Sequence, residues 1–70
     1  MIYLEPRGML DAAIIGREGD RLVYSYTKLI EAYMDNGMTY LDAVEWIEFN
    51  IIGTYMKDWP IVKDDTQEDI

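Results

Sequence analysis

Histidine and cysteine are absent from the 70-residue chain, and Ser25 is its only serine. Without imidazole or thiol groups, a zinc finger, a disulfide framework and a cysteine nucleophile are excluded. Ser25 has no histidine to activate it, so nucleophilic catalysis lacks its usual base. We therefore predict a protein that is not an enzyme and that uses no cofactor or metal.

Basic residues are also scarce, since six Lys and Arg stand against 14 Asp and Glu and give a net charge of −8. Binding to a phosphate backbone requires clustered Lys and Arg, so we predict no direct nucleic acid binding. Residues 40–56 contain neither Lys nor Arg, which argues against a DNA-recognition helix in this stretch. An acidic protein can instead occupy the nucleic-acid-binding groove of another protein, and its charge would steer it there.

Long apolar runs are missing as well. The longest uncharged stretch, residues 49–56, falls far short of the roughly 20 apolar residues that a membrane span needs. Residues 1–6 lack the basic start and apolar run of a signal peptide. We therefore expect no membrane partner and a cytoplasmic location.

Enough apolar sequence is present for one small folded domain, because half of the residues are hydrophobic and 13% are aromatic. Two β-prone runs, residues 12–15 and 21–24, flank a polar connection that contains glycine, which predicts a β-hairpin. A short helix over residues 9–15 is the alternative, since Met, Leu and Ala favour helices. Residues 1–10 contain Pro6 and Gly8 and are expected to be irregular or an edge segment.

Two helices are predicted after the hairpin. Ser25 is a candidate N-cap for the first helix and Thr39 for the second. The Asn36-Gly37 pair ends the first helix, and Pro60 ends the second by residue 58 or 59. The apolar faces expected to form the core are Tyr26, Leu29, Ile30, Tyr33 and Met34 in the first helix, and Tyr40, Val44, Ile47, Ile51 and Tyr55 in the second.

The end of the chain allows one more strand and an acidic tail. Ile61 and Val62 are a possible short C-terminal strand, so the predicted fold class is α+β. Residues 64–70 carry four acids and no usable core. We predict a single small domain over residues 1–63 and a frayed, solvated tail over residues 64–70. A weak site for a hard cation in this tail is the alternative, although the EF-hand spacing is missing.

The second predicted helix has a further apolar stripe opposite its core face. At about 100° per residue, this stripe mixes large apolar side chains with carboxylates. Its members are Asp42, Glu45, Trp46, Glu48, Phe49, Ile52 and Met56. One interpretation is that the hairpin covers one side of the helix and the first helix the other, so that both stripes are core. The other is that this stripe contacts a partner, because aromatic residues and Met are enriched at interface cores. Acid–base catalysis by its carboxylates is a third, weaker interpretation.

Several stretches between residues 11 and 62 carry a resemblance to other proteins. They are Asp11-Ala12-Ala13-Ile14-Ile15-Gly16, Val23-Tyr24-Ser25-Tyr26, Lys28-Leu29-Ile30, Gly37-Met38-Thr39, Asp42-Ala43-Val44-Glu45-Trp46-Ile47-Glu48-Phe49-Asn50 and Pro60-Ile61-Val62. In these stretches the chain resembles a group of small proteins common in bacteriophage and prophage genomes. That group often has an acidic residue where Ser25 stands, and either side chain can cap a helix. The resemblance implies a phage origin and a location in the host cytoplasm, and it transfers no catalytic residues.

Two functional hypotheses follow. In the first, this is a small acidic phage protein that binds a host protein with a basic surface and inhibits a nucleic-acid-binding defence component. In the second, it is a self-associating structural or regulatory domain that forms a homodimer through the second helix. Both hypotheses use the same predicted partner-binding residues: Asp42, Glu45, Trp46, Glu48, Phe49, Ile52 and Met56.

Overall fold

A computed structural model describes residues 1–66 of the chain, and it has the predicted α+β fold. A β-hairpin is formed by β1 (Ile14–Glu18) and β2 (Arg21–Ser25). Two helices follow, α2 (Tyr26–Asp35) and α3 (Tyr40–Ile47), and the short strand β3 (Ile61–Lys63) comes last. The hairpin, the two helices and the C-terminal strand are thereby confirmed.

A short helix precedes the hairpin. Helix α1 (Arg7–Leu10) begins after Pro6, whose carbonyl accepts hydrogen bonds from the amides of Met9 and Leu10 at 3.1 and 3.0 Å. A 3₁₀ turn, Asp11–Ala13, continues it up to the first strand. The prediction of an irregular or edge segment over residues 1–10 is therefore wrong for the second half of that stretch. The helical alternative for residues 9–15 is correct only as far as Ala13.

The hairpin starts and turns later along the chain than predicted. Strand β1 continues to Glu18, so the turn consists of Gly19 and Asp20 alone. Gly19 has a φ of +60°, a left-handed conformation that glycine adopts without a steric penalty. Arg17 and Glu18, which belong to the polar connection predicted between the strands, instead pair with Leu22 and Arg21 in the antiparallel ladder.

Strand β2 is the centre of a three-stranded sheet with the order β1-β2-β3. It pairs antiparallel with β1 and parallel with β3, and Tyr24 lies opposite both Ile14 and Val62. Tyr24 is fully buried, and its hydroxyl accepts a hydrogen bond of 2.9 Å from the amide of Leu4. This bond holds the N-terminal segment against the sheet. Because β2 and β3 are parallel, the two helices form the crossover between them.

Helix α2 begins at the predicted cap, since the Ser25 hydroxyl accepts a hydrogen bond of 3.1 Å from the amide of Lys28. Its buried residues are Tyr26, Leu29, Ile30 and Tyr33. Met34, which was predicted to belong to the core, is 42% exposed. At about 100° per residue, Met34 lies roughly 90° from the middle of the buried stripe, so it falls at the edge of the packed surface.

Helix α3 also begins at its predicted cap, because Thr39 accepts a hydrogen bond of 3.1 Å from the amide of Asp42. Its core face differs from the predicted one. Tyr40 and Tyr55 are 57% and 94% exposed and Val44 is half-buried, whereas Ala43, Ile47 and Ile51 are buried.

At Tyr55 the cause of this difference is a π-helical segment, Glu48–Ile52, that follows α3 directly. In it the amide of Gly53 bonds to the carbonyl of Glu48 at 2.9 Å, five residues back along the chain. A π turn holds more residues than an α turn, so the phase of the later side chains departs from a continuous helix. Tyr55 lies beyond the last helical residue and projects from a loop, which explains its exposure.

The expected frayed tail concerns residues 64–70, of which 67–70 lie outside the described residues. The Asp65 carboxylate accepts hydrogen bonds from the Ser25 hydroxyl at 2.5 Å and from the Thr27 amide at 2.9 Å. These bonds lower the pKa of Asp65 below its usual range. Asp65 therefore joins the end of β3 to the first turn of α2. These contacts attach residue 65 to the domain, so the tail is not detached from residue 64 onward.

Candidate protein-binding surface

Exposed apolar side chains are concentrated on and after helix α3. In the described part of the chain, seven of the ten large hydrophobic side chains that are exposed lie within residues 40–56. Single exposed apolar residues are common on soluble proteins, but a cluster on one element is a candidate interaction surface.

The second stripe of the helix, predicted to be either core or interface, is at the protein surface. The exposed fractions are 46% for Trp46, 79% for Phe49, 43% for Ile52 and 57% for Met56. The interpretation of this stripe as core is therefore wrong, since the buried face of the helix is Ala43, Ile47 and Ile51, and α2 packs against α3. We call these four residues, together with Asp42, Glu45 and Glu48, the α3 surface.

Each of the three carboxylates of the α3 surface is exposed. Asp42 precedes Trp46 by four residues and Glu45 precedes Phe49 by four, so acidic and aromatic side chains are neighbours one turn apart. The ion pair seen within residues 1–66 lies elsewhere, between Arg7 Nη2 and Asp11 Oδ2 at 3.1 Å. The α3 surface therefore offers its negative charge outward, next to large apolar groups.

Glu48 has an additional structural contact. Its carboxylate accepts a hydrogen bond of 2.9 Å from the Tyr26 hydroxyl, which joins the π-helical segment to the start of α2. Burial of the phenol, followed by the bond to the negatively charged Glu48, raises the pKa of Tyr26 to about 12. The side chain of Glu48 is thus held in one position, whereas those of Asp42 and Glu45 extend into solvent.

Trp46 is positioned by packing although almost half of it is exposed. Its ring lies 6.4 Å from that of Tyr33 with an interplanar angle of 56°, a tilted arrangement that aromatic pairs favour. Burial raises the pKa of the Tyr33 phenol, and the neighbouring Trp46 side chain opposes part of that rise. An aromatic side chain already fixed in the free protein loses little conformational entropy when a partner covers it.

The π-helical segment depends on Gly53. A Cβ atom at this position would lie 3.0 Å from the carbonyl oxygen of Phe49 and 3.1 Å from that of Glu48. Both neighbours are backbone atoms of the segment, so they have little freedom to move away. Segments of this kind are frequent at functional sites, and this one carries Phe49 and Ile52 to the surface.

A second feature was missed by sequence reasoning. The N-terminal segment and α3 enclose a groove lined by Tyr3, Glu5, Tyr33, Trp46, Asn50 and Trp59. Helical periodicity gave no sign of it, because Tyr3, Glu5 and Trp59 lie outside the helices. The high aromatic content, with six Tyr, two Trp and one Phe, was the sole available signal.

Within residues 1–66, no three carboxylates lie close enough together to hold a metal ion. In the same range, no helix combines the length and the apolar character needed to cross a bilayer. Comparisons of the chain with known protein families, curated proteins and solved structures find no match.

Proposed function

We propose that this is a small acidic phage protein without enzymatic activity that binds a host protein through the α3 surface. The bound region of the host protein is basic, and its occupation inhibits a nucleic-acid-binding defence component in the host cytoplasm. One observation carries the proposal: Trp46, Phe49, Ile52 and Met56 are exposed on a folded domain and lie among three exposed carboxylates.

The composition of the α3 surface favours contact with a protein partner over permanent exposure to solvent. Trp and Tyr anchors and Met are enriched at interface centres, whereas acids and bases occupy the rim. Among the four apolar side chains of the α3 surface, Phe49 has the largest exposed fraction, 79%. Covering the four apolar side chains supplies affinity, and the adjacent carboxylates select a partner of opposite charge.

Charge also favours a nucleic-acid-binding groove as the target. With a net charge of −8, the protein is attracted to the same basic surfaces that attract a phosphate backbone. Occupation of such a groove excludes the nucleic acid by competition and needs no chemistry. This interpretation accounts for the acidic composition and the apolar stripe together.

Capture from a lysate of the host bacterium tests the proposal. Immobilised wild-type protein is compared with the double variant Trp46→Ser/Phe49→Ser. The matched control is Ile15→Ser, because Ile15 on β1 is 45% exposed and lies outside the α3 surface. The expected result is a host protein that binds the wild type and the control, does not bind the double variant, and is released by added double-stranded DNA. No recovery at either low or physiological salt, or equal recovery by all three proteins, would contradict the proposal.

The electrostatic part has its own test. We expect reversal of Asp42, Glu45 and Glu48 to Lys to slow association with the captured protein at low salt by about tenfold or more, since steering raises association rates by such factors. The control reverses Asp20, Glu31 and Asp35, which changes the net charge equally at other exposed positions. An unchanged association rate, or an equal decrease in both variants, would show that the carboxylates of the α3 surface do not steer association. Circular dichroism checks that each variant is folded.

Homodimerisation through the α3 surface is the second candidate, and the same exposed apolar residues favour it. Domains of this size have marginal cores, so burial of a stripe between two copies adds stability. Sedimentation at micromolar concentration separates the two proposals. A monomer whose Trp46→Ala variant keeps its stability rules out the dimer.

A further inference from the structure

The groove beside the α3 surface has an unusual lining for so small a domain. It has a volume of about 300 Å³ and lies between the N-terminal segment and α3. Tyr33 is only 6% exposed and contributes little of the accessible lining. The accessible walls belong to Tyr3 and Glu5 on one side and to Trp46 and Asn50 on the other, and Trp59 also faces the groove.

The aromatic rings of the groove are held in position by the fold. The indole N–H of Trp59 donates a hydrogen bond of 2.8 Å to the carbonyl of Ile51, which fixes the ring against the π-helical segment. The carbonyl of Trp59 accepts a bond of 2.7 Å from Arg21 Nε. Trp46 packs on Tyr33 as described above. The groove is therefore an arrangement of rings that exists before any ligand arrives.

The polar groups of the groove suit a cation. Glu5 supplies a carboxylate, and no Lys or Arg belongs to the groove lining in the described part of the chain. The amide nitrogen of Asn50 donates to the carbonyl of Trp46 at 3.2 Å, so the amide oxygen stays available as an acceptor. Aromatic faces attract cations through their quadrupoles, and a nearby carboxylate adds to that attraction.

The chain itself shows that a guanidinium fits one of these rings. The Cζ atom of Arg7 lies 3.5 Å from the centroid of the Tyr3 ring. The same guanidinium is bound to Asp11 at 3.1 Å, so Arg7 is already engaged outside the groove. A second planar cation entering the groove would meet Trp46, Trp59 and Glu5, and the positive charge of Arg7 at the Tyr3 wall is already paired with Asp11.

We propose that this groove binds an arginine side chain of the protein partner. This deepens the proposed function, on which it rests: the α3 surface supplies apolar contact and the adjacent groove reads one cationic residue. Arginine fits better than lysine because its planar guanidinium stacks on aromatic rings while its donors reach a carboxylate and an amide oxygen together. A compact ammonium group satisfies only part of that lining.

Titration with small probes, followed by nuclear magnetic resonance, tests this inference without the partner. The probes are N-acetyl-arginine-methylamide and its neutral analogue N-acetyl-citrulline-methylamide, and the readout is the indole N–H signals of Trp46 and Trp59. We expect the arginine probe to shift both signals and to bind several-fold more tightly than citrulline. N-acetyl-lysine-methylamide is expected to bind more weakly than the arginine probe.

Variants locate the binding. Glu5→Gln and Trp46→Leu are each expected to weaken arginine binding about two- to fivefold, as a lost cation–π or charge contact at a partly exposed site would do. Glu18→Gln, an exposed acid on β1, is the matched control and should bind as the wild type does. Glu5 is exposed, so its variant keeps the test valid even if the Trp46 variant unfolds.

Equal binding of arginine and citrulline, lysine binding as tight as arginine, or an unchanged affinity in Glu5→Gln would each overturn the inference. The proposed function fails by a different measurement. If the host protein is still captured through Trp46 and Phe49 while the groove shows no preference for arginine, the groove inference falls and the proposed function stands.

Discussion

Ile47 and Phe49 lie two residues apart, yet the structure gives them opposite roles. Ile47 is 0% exposed and Phe49 is 79% exposed. Ile47→Ala removes three buried carbon atoms at about 0.8 kcal/mol each and leaves a cavity, so we expect a loss of about 3 kcal/mol in the free energy of unfolding. Full burial of a Phe side chain is worth at most about 3 kcal/mol. Since only a fifth of Phe49 is covered, Phe49→Ala should cost about 0.5 kcal/mol.

Thermal and urea unfolding, followed by circular dichroism, measure this difference. For a domain of this size each kcal/mol corresponds to about 4–8 °C in Tm, so the two variants should differ by roughly 10–20 °C. Equal losses in the two variants would refute the assignment of Ile47 to the core and Phe49 to the surface. A loss in Phe49→Ala that grows with protein concentration would instead indicate that Phe49 is buried between two copies of the chain.

Three further predictions concern the contacts that hold the fold together. Asp65→Asn should lower the free energy of unfolding by about 1 kcal/mol, because it weakens the acceptor of the Ser25 hydroxyl bond. Because the pKa of Asp65 is low, its contribution to the free energy of unfolding is complete above the ordinary aspartate pKa of about 3.9 and is lost as the pH falls through the lower folded value. Urea unfolding of the wild type and Asp65→Asn at several acidic pH values should show the advantage of the wild type disappear in that range. Tyr26 has a pKa raised to about 12, so its contribution is complete below about pH 10 and is lost as the pH rises towards 12. Ultraviolet titration should therefore show one late-ionising phenol fewer in Tyr26→Phe. Gly53→Ala should destabilise the domain by about 1–3 kcal/mol in thermal unfolding, because its Cβ would contact the carbonyl of Glu48; an unchanged Tm would show that the π-helical segment tolerates the methyl group.

Local signals in the sequence predicted the starts of both long helices correctly. Ser25 and Thr39 accept the hydrogen bonds expected of N-caps, and the Asn36-Gly37 pair ends the first helix, with Gly37 at a φ of +105°. Such features depend on a few neighbouring residues, so they can be read from the chain alone. The hairpin and the short β3 strand were predictable for the same reason.

The core face of the second helix was not predictable in the same way. Its assignment assumed one continuous α-helix, whereas the π-helical segment begins at Glu48. Nothing in the local sequence from Glu48 to Ile52 distinguishes a π turn from an α turn, and the small residue Ala43, absent from the predicted core face, is fully buried. Tyr55 was therefore placed wrongly, whereas Ile47 and Ile51 were placed correctly. Tyr40 precedes the π-helical segment and is exposed as the first residue of α3.

Long-range contacts were beyond the reach of sequence patterns altogether. The bond between Asp65 and Ser25 joins residues 40 positions apart, and that between Leu4 and Tyr24 joins residues 20 positions apart. The aromatic groove depends on the same kind of contact, since Tyr3 and Trp59 come together only in the folded chain. The apolar stripe around Trp46 and Phe49 was visible in the sequence, but only the structure shows that it is exposed.

Photo-crosslinking from position 49 determines whether the exposed Phe49 contacts a host protein. A photoreactive phenylalanine replaces Phe49 in one protein and Glu18 on β1 in the control, and both are irradiated in host lysate. If the α3 surface binds the proposed partner, we expect a crosslink from position 49, and not from position 18, to a host protein with a basic nucleic-acid-binding surface. No crosslink from position 49, or a crosslink only to a second copy of the chain, would contradict it.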